Sequence, residues 1–188
     1  MKKLEQLYEG KAKILYKTED PGLIIQYFKD DATAFNAQKK GTIQGKGIVN
    51  NKISTKIFGY LESQGIPTHF EKMLSDREML VKRVTIVPLE VIIRNVAAGS
   101  LSKRLDVPEG TILACPIFEF SYKNDALGDP LINEYHAIAL RYATEEEIAA
   151  IKKFAFQIND LMKKFFATIN VDLIDFKWNS ENIKAKLF

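Results

Sequence analysis

The sequence feature that most limits the fold is a long amphipathic segment at residues 144–169. Thr144 and Glu147 form the capping-box pattern that starts helices, because each side chain can accept a hydrogen bond from the other residue's backbone N–H. Lys163 and Lys164 follow near the far end, where the helix dipole favours positive charge. The apolar residues recur at helical spacing in one stripe: Ile148, Ile151, Phe154, Ile158, Leu161 and Phe165. The pattern predicts one long helix.

The rest of the chain is predicted to contain short strands and one further helix. Apolar residues keep helical spacing over residues 47–64, and Gly65 ends that pattern. Two runs rich in Val and Ile, 80–87 and 89–96, predict strands separated by Pro88. Further strands are predicted at residues 7–16, as a strand, a turn and a second strand, and at 23–28 and 171–176.

The order of these elements favours an α+β fold in two lobes, because strands come first and strands mixed with helices follow. We place the boundary near Thr85, which gives a β-rich lobe with one helix at residues 1–85 and an α/β lobe at residues 86–188. The 188 residues suffice for two small lobes, and 46% hydrophobic with 27% charged residues is ordinary for a folded, soluble protein.

Charge and cysteine content narrow the class of partner and the compartment. The 27 basic residues exceed the 24 acidic ones by three and are mixed with them along the chain. This balance suits small anionic substrates, and the lack of clustered basic residues with interleaved aromatics disfavours RNA binding. Cys115 is the single cysteine, so no internal disulfide is predicted and a reducing cytoplasm fits. No apolar stretch resembles a signal peptide or a membrane span, so neither is expected.

A glycine and two lysines near the start are the first candidate site. Lys11 and Lys13 stand two apart on a predicted strand, which points both ammonium groups to one face. Gly10 lets the backbone come close to whatever these lysines face. The residues alone leave two interpretations open: a cradle for a triphosphate, or a strand edge protected by lysines.

The segment 94–100 is the second candidate. A predicted strand ends in Arg94 and Asn95, small residues follow, and Ser100 stands where a helix through Leu101 and Arg104 would be capped. Free N–H groups, a hydroxyl and a guanidinium together make a good phosphate receptor. An ordinary strand-to-helix connection fits the same residues, and the pattern alone does not choose between the two.

Polar residues at 121–134 form a turn-rich stretch dense in Lys, Asp and Asn. Such groups suit an amino-acid substrate or a metal-bound phosphate, although solvated surface loops have the same composition. Asp175 and Lys177 lie on one face at the end of a predicted strand, where they meet a substrate or ion, or pair with each other. His69 and His136 are isolated in sequence and are predicted to be non-catalytic.

Several blocks of the chain together match one known family. They are residues 7–13, 29–36, 45–47, 50–54, 90–104, 122–134 and 175–177, and they occur in the family's order. On these blocks the chain resembles the SAICAR synthetases, the purine-biosynthesis ligases also called phosphoribosylaminoimidazole-succinocarboxamide synthases. The match at 94–100, Arg-Asn-Val-Ala-Ala-Gly-Ser, is highly specific, and the resemblance implies that this segment binds a phosphate.

The resemblance implies a β-rich lobe over an α/β lobe, similar to ATP-grasp and kinase-like folds. It also implies an ADP-forming ligase. ATP would phosphorylate the carboxylate of carboxyaminoimidazole ribonucleotide, and the amino group of L-aspartate would attack the acyl phosphate. ATP and Mg²⁺ are the implied cofactors. Because the family is commonly oligomeric, a homo-oligomer is expected. The expected partners are small-molecule substrates, with neither nucleic acid nor membrane.

The resemblance also assigns roles to individual residues. The residues implied for ATP binding are Gly10, Lys11, Ala12, Lys13 and Lys82. The residues implied for binding the ribonucleotide or aspartate are Arg94, Ser100 and Lys123. The residues implied for catalysis are Asp129, Asp175 and Lys177.

The chain departs from the family pattern after Lys177. The family continues Leu-Glu-Phe-Gly, whereas this chain reads Trp-Asn-Ser-Glu and ends at Phe188. In the family, the residue at the Asn179 position is a Glu that binds magnesium, and a second metal carboxylate and a phosphate-binding Arg follow it. This sequence contains none of these three residues. One alternative is therefore a truncated member that binds ATP and ribonucleotide with weak or no turnover. A small-molecule kinase is another.

Overall fold

The structure, a computed structural model, describes residues 2–34 and 39–181 and divides into two units at the boundary between Val84 and Thr85. Two residues of the block at 29–36, Phe35 and Asn36, lie outside the described residues, as does the chain beyond Glu181. Helices and antiparallel sheets make up both units, so the predicted α+β class is confirmed. None of the helices in the described ranges is both long enough and apolar enough to span a bilayer.

The first unit is built on a five-stranded antiparallel sheet with the strand order β1-β2-β3-β7-β6. A helix, α1, contacts strands β3, β6 and β7, and a two-stranded ladder of β4 and β5 precedes it. The elements are β1 Lys3–Glu9, β2 Lys13–Thr18, β3 Leu23–Phe28, β4 Asp31–Ala34, β5 Lys39–Thr42, α1 Lys46–Ser63, β6 Phe70–Met73 and β7 Glu78–Lys82. Phe28, Met79 and Val81 form the buried centre, against which Phe58 of α1 packs.

A carboxylate from outside the helix organises the start of α1. The residue before the helix, Gly45, has no side chain to cap it, and Asp30 accepts hydrogen bonds from the backbone N–H groups of Gly45 at 3.3 Å and Gly47 at 2.8 Å. Arg77 donates to both oxygens of the same carboxylate, at 2.8 and 2.7 Å. These donors, the Arg77 guanidinium first, hold the pKa of Asp30 well below its usual range.

The second unit is built on a four-stranded antiparallel sheet with the order β10-β9-β8-β11. A short 3₁₀ turn at Asp125–Leu127 lies between β9 and β10. The elements are β8 Ile86–Val96, α2 Ser100–Leu105, β9 Ile112–Tyr122, β10 Leu131–Ile132, α3 Glu134–Ala139, α4 Glu145–Ala167 and β11 Asp175–Glu181.

Helix α4 matches its prediction closely. The Thr144 and Glu147 capping box is present, with hydrogen bonds of 2.8 and 3.2 Å. Ile148 and Ile151, from the predicted stripe, are buried in a core with Leu89, Val91 and Ile93 of β8 and Phe120 of β9, among others. Burying this stripe against the central strand holds the helix on the sheet, because isolated helices owe little stability to propensity alone.

Two strand predictions in this unit are wrong. Pro88 does not separate two strands, because it lies inside the continuous strand β8, beside an irregularity in the pairing of β8 with β11. A bulge of this kind tolerates a residue that lacks an N–H. The predicted buried strand at 171–176 instead starts at Asp175, and residues 171–174 belong to no helix or strand and are mostly exposed. Asp175 therefore begins a strand rather than ending one.

Gly47 allows a test of how closely helix α1 approaches the backbone of Phe28 at the end of β3. A Cβ at this position would stand 2.3 Å from the backbone oxygen of Phe28, so we expect Gly47→Ala to lower the free energy of unfolding by about 2 kcal/mol or more. On the same helix, a Cβ on Gly59 would meet nothing within 4 Å. Gly59→Ala is therefore the matched control and should stabilise the protein by about 0.5–1 kcal/mol. Urea unfolding measures both, and equal effects would contradict the close approach.

Candidate functional site

A buried arginine is the centre of the site in the second unit. Arg94 lies near the end of β8, and its side chain is only 5% exposed. Its Nε donates to Glu119 at 2.9 Å, one terminal nitrogen donates to Asp175 at 3.2 Å, and the other donates to the hydroxyl of Ser100 at 3.0 Å. These partners come from β9, β11 and α2, so the guanidinium is held in one orientation by three elements.

A cavity of about 460 Å³ opens beside this arginine. Four residues singled out in the sequence line it, and so do two cations that the sequence reasoning did not assign to a site. The lining residues that matter here are Arg94, Ser100, Asp129, Lys177, Lys103 and Arg104. Two guanidinium and two ammonium groups around one cavity favour an anionic ligand such as a phosphate or a carboxylate.

Ser100 takes part in the site in a way that the sequence reasoning did not expect. Helix α2 begins at Ser100, and the residue before it is Gly99, so Ser100 is the first helical residue and not the cap. Its hydroxyl accepts a hydrogen bond from Arg94 rather than from the helix backbone. Gly99 has φ 56°, a left-handed conformation that glycine adopts easily, and its N–H donates to Glu109 at 2.9 Å.

Glu119 is a counter-ion shared by two arginines. It accepts from Arg94 and also forms an ion pair with Arg104, whose side chain is 34% exposed. Glu119 was not predicted as a site residue, because its partners lie on other elements and leave no local sequence signal. Lys103 and Arg104 had a local signal, since both follow Ser100 within about one helical turn of the candidate segment at 94–100.

The polar stretch at 121–134 contributes Asp129 and Lys123 in different ways. Asp129 lines the cavity, and its carboxylate accepts from the backbone N–H of Asn124 at 2.8 Å. Lys123 does not line the cavity, and its ammonium donates to Asn179 at 2.9 Å. Lys177, which lines the cavity, also pairs with Glu90 at 2.8 Å. The structure therefore brings Asp129 and Lys177 to Arg94 and places Lys123 at Asn179.

The residues around Asn179 do not fit a protein-held magnesium ion. The side-chain oxygen of Asn179 accepts from the ammonium of Lys123, and a positive charge so near opposes a divalent cation. Within residues 2–34 and 39–181, no group of three or more His, Cys, Asp or Glu side chains is placed to hold a metal. We therefore assign no metal ligands in the described residues.

In the first unit, four of the five residues predicted to bind ATP, residues 10–13, lie at the turn between β1 and β2, and the fifth, Lys82, lies at the end of β7. The prediction that Lys11 and Lys13 share a strand face is wrong, because Lys11 lies in the turn and β2 begins at Lys13. Gly10 closes the turn with its N–H on the carbonyl of Lys13 at 2.8 Å. The carbonyl of Ala12 accepts from the N–H of Lys29 at 2.8 Å, which ties the turn to the end of β3.

Lys82 ends β7 beside a half-buried histidine. Its ammonium donates to the carbonyl of Thr68 at 3.3 Å and pairs with Glu71, and its backbone N–H donates to the carbonyl of His69 at 2.7 Å. Burial, together with the positive charges of Lys13 and Lys82, lowers the pKa of His69 to about 4. His69 is therefore neutral at pH 7.

Together these features describe an α+β protein with an arginine-centred cavity that suits a small phosphorylated or carboxylated ligand. The family model described as SAICAR synthetase matches residues 6–180. The phosphoribosylaminoimidazole-succinocarboxamide synthase of Lachnoclostridium phytofermentans is 58% identical over 177 residues, which are 94% of this chain and 75% of that protein. The chain belongs to the SAICAR synthetase family.

Solved structures agree with this assignment. The phosphoribosylaminoimidazole-succinocarboxamide synthase of Ehrlichia chaffeensis superposes with a TM-score of 0.93 at 45% identity, covering 95% of this chain and 76% of that one. A structure described as SAICAR synthetase (Type-2) in complex with ADP gives a TM-score of 0.91 at 44% identity, covering 96% of this chain and 76% of that one. The predicted family and its two-lobed SAICAR synthetase-like fold are confirmed.

The depressed pKa of His69 predicts a stability change between pH 6.5 and pH 4. In the unfolded chain a histidine binds a proton near pH 6.5, whereas folded His69 does so only near pH 4. The unfolded state thus binds more protons in this window, so His69 lowers the stability of the wild type as the pH falls through it. His69→Phe should show a shallower loss when urea unfolding is followed at several pH values. His136→Gln is the control, and the part of its stability loss that comes from His69 should be the same as in the wild type.

Proposed function

We propose that this chain is an ATP-dependent ligase that joins L-aspartate to the carboxylate of carboxyaminoimidazole ribonucleotide, giving SAICAR through an acyl phosphate. The observation that carries the proposal is the buried Arg94, held by Ser100, Asp175 and Glu119 at the wall of a cationic cavity. The names of the family and of its relatives support the same activity. The chemistry of each group in the cavity follows from this assignment.

The phosphate end of the ribonucleotide is assigned to Arg94, Ser100 and the two cations of α2. Arg94 presents a fixed charge, whereas the Arg104 side chain is one-third exposed and reaches the same cavity. An entering phosphate can therefore replace Glu119 as the partner of Arg104 while Arg94 stays in place. Charge-assisted hydrogen bonds to a dianion outweigh those to one shared carboxylate, which drives the exchange.

The reacting carboxylate is assigned to the part of the cavity near Lys177 and Asp129. One oxygen of the carboxylate takes the γ-phosphoryl group from ATP, releasing ADP, and the amino nitrogen of aspartate then forms a bond to the carboxylate carbon. The C–O bond to phosphate then breaks, inorganic phosphate leaves with the bonding electrons, and the nitrogen gives its extra proton to water. Lys177 neutralises charge on the carboxylate and the transferred group. Asp129, which lines the cavity, and Asp175, which pairs with Arg94, are assigned as acceptors for substrate N–H and O–H groups.

ATP is assigned to the β1–β2 turn and to Lys82. The turn, which Gly10 closes, brings the backbone of Lys11 and Ala12 and the ammonium groups of Lys11 and Lys13 to one place, and a relative in complex with ADP supports nucleotide binding. Magnesium enters as the complex with ATP, where it neutralises phosphate charge. The chain is further proposed to act in the cytoplasm as a homo-oligomer, and sedimentation velocity would give the number of subunits.

The activity is tested by measuring ADP release with and without aspartate. We expect release from MgATP and the ribonucleotide to require aspartate and to fall by at least about 100-fold in Arg94→Ala, because the neutral variant loses the fixed charge at the phosphate end. Lys153→Ala, an exposed change on α4, is the control and should retain activity. ADP release that proceeds equally without aspartate would contradict the ligase proposal.

Binding without turnover would instead favour the alternative of a weakly active member of the family. Isothermal titration of the wild-type chain with the ribonucleotide and with ADP, run beside the turnover assay, separates the two cases. Binding of both ligands with aspartate-dependent ADP release supports the ligase. Binding of both with no release supports the alternative.

The nucleotide assignment predicts different effects for two lysines on β2. Lys13→Ala should weaken ADP binding about tenfold, because the variant lacks an ammonium group at the proposed phosphate turn. Lys17 lies on the same strand, pairs with Glu5 at 2.6 Å and is the matched control. Lys17→Ala should change the affinity for ADP by less than about twofold. Equal losses in both variants would place the nucleotide elsewhere.

A further inference from the structure

Two buried asparagines lie next to the Arg94 site. Asn95 follows Arg94 on β8, and Asn159 lies on α4 and is 1% exposed. Their side-chain amides form a reciprocal pair: Asn95 Nδ2 donates to Asn159 Oδ1 at 2.8 Å, and Asn159 Nδ2 donates to Asn95 Oδ1 at 3.0 Å. The pair satisfies a donor and an acceptor on each amide where water is excluded.

Asn95 also holds the chain that leads into β11. Its Nδ2 donates to the carbonyl of Leu173 at 3.1 Å, and its backbone N–H donates to the carbonyl of Ile174 at 2.8 Å. This stretch belongs to no helix or strand, and the next residue is Asp175, whose carboxylate accepts from Arg94 at 3.2 Å. The amide pair therefore links α4 to the backbone that carries one of the two carboxylates on Arg94.

We infer that Asn95 and Asn159 are positioning residues for the ribose-phosphate end of the site. The inference rests on the proposed function. Within the described residues neither amide lines the cavity, so their effect on a ligand passes through Asp175 and Arg94. When the pair is intact, residues 173–175 are fixed against β8 and the Arg94 guanidinium keeps its orientation. When the pair is broken, residues 173–175 keep only their backbone hydrogen bonds to β8, so the Asp175 carboxylate is held less firmly and orients the Arg94 guanidinium less well for an incoming phosphate.

The reciprocal form of the pair explains why both positions carry amides. Each amide has an N–H group and a carbonyl oxygen, so two of them can exchange hydrogen bonds with no net charge. A leucine at position 159 keeps the branched shape but can neither donate nor accept, which leaves Asn95 Oδ1 without that donor. A buried acceptor without a partner is costly, so Asn95 would rotate and release the carbonyl of Leu173.

The inference is tested by titrating the full chain with ribose 5-phosphate and, separately, with ADP by calorimetry. Asn159→Leu should weaken ribose 5-phosphate binding about tenfold and change ADP binding by less than about twofold. Asn159→Ser should likewise weaken ribose 5-phosphate binding and leave ADP binding nearly unchanged. The serine variant replaces the leucine variant in the test if the latter does not fold. Asp160→Ala, the exposed neighbour on α4, is the control and should bind both ligands as the wild type does.

The outcomes separate this inference from the function on which it rests. Wild-type chain that binds no ribose 5-phosphate would overturn the proposed function and the inference together. Wild-type binding that both Asn159 variants retain unchanged would overturn the inference alone. Equal weakening for ribose 5-phosphate and ADP would also overturn it, because the pair would then support the fold in general rather than the ribose-phosphate end.

Discussion

The second unit is organised by the need to pair one buried positive charge. The guanidinium of Arg94 is 5% exposed, and a buried charge that loses its partner costs about 3–5 kcal/mol, a large part of the roughly 5–15 kcal/mol that stabilises a typical domain. Glu119 on β9 and Asp175 on β11 supply the pairing from the two strands that flank β8. The same ion pairs therefore depend on correct strand pairing and set the geometry of the site.

This arrangement also sets how an anion can bind. Three of the four cations that line the cavity already face a carboxylate in the free protein: Arg94 and Arg104 share Glu119, Arg94 also pairs with Asp175, and Lys177 pairs with Glu90. An anion gains affinity by exchanging with these carboxylates rather than by adding to bare cations. Exchange of this kind is sensitive to shape, because only a ligand that reaches several donors at once outcompetes carboxylates that are already in place.

Sequence reasoning succeeded where the signal is local. Helix α4 was predicted at 144–169 and is found at Glu145–Ala167. This prediction succeeded because the cap and the apolar stripe both lie within one segment of the sequence. It failed where a distant partner decides the outcome. Pro88 lies inside strand β8, which pairs with β11, and the Ser100 hydroxyl accepts a hydrogen bond from Arg94 instead of capping α2. The family resemblance brought together Arg94, Ser100, Asp129 and Lys177, but Glu119 has meaning only once β8 and β9 are paired.

Both units use a distant carboxylate at the start of a helix that follows a glycine. Gly45 and Gly99 have no side chain with which to cap α1 and α2, and Asp30 and Glu109 instead accept from the backbone N–H groups there. Helix α2 has only six residues, far fewer than a helix needs to be stable alone. It therefore forms only when the surrounding unit is folded. Because α2 carries Ser100 and Arg104 into the cavity, the anion site is completed by tertiary structure and not by local helix propensity.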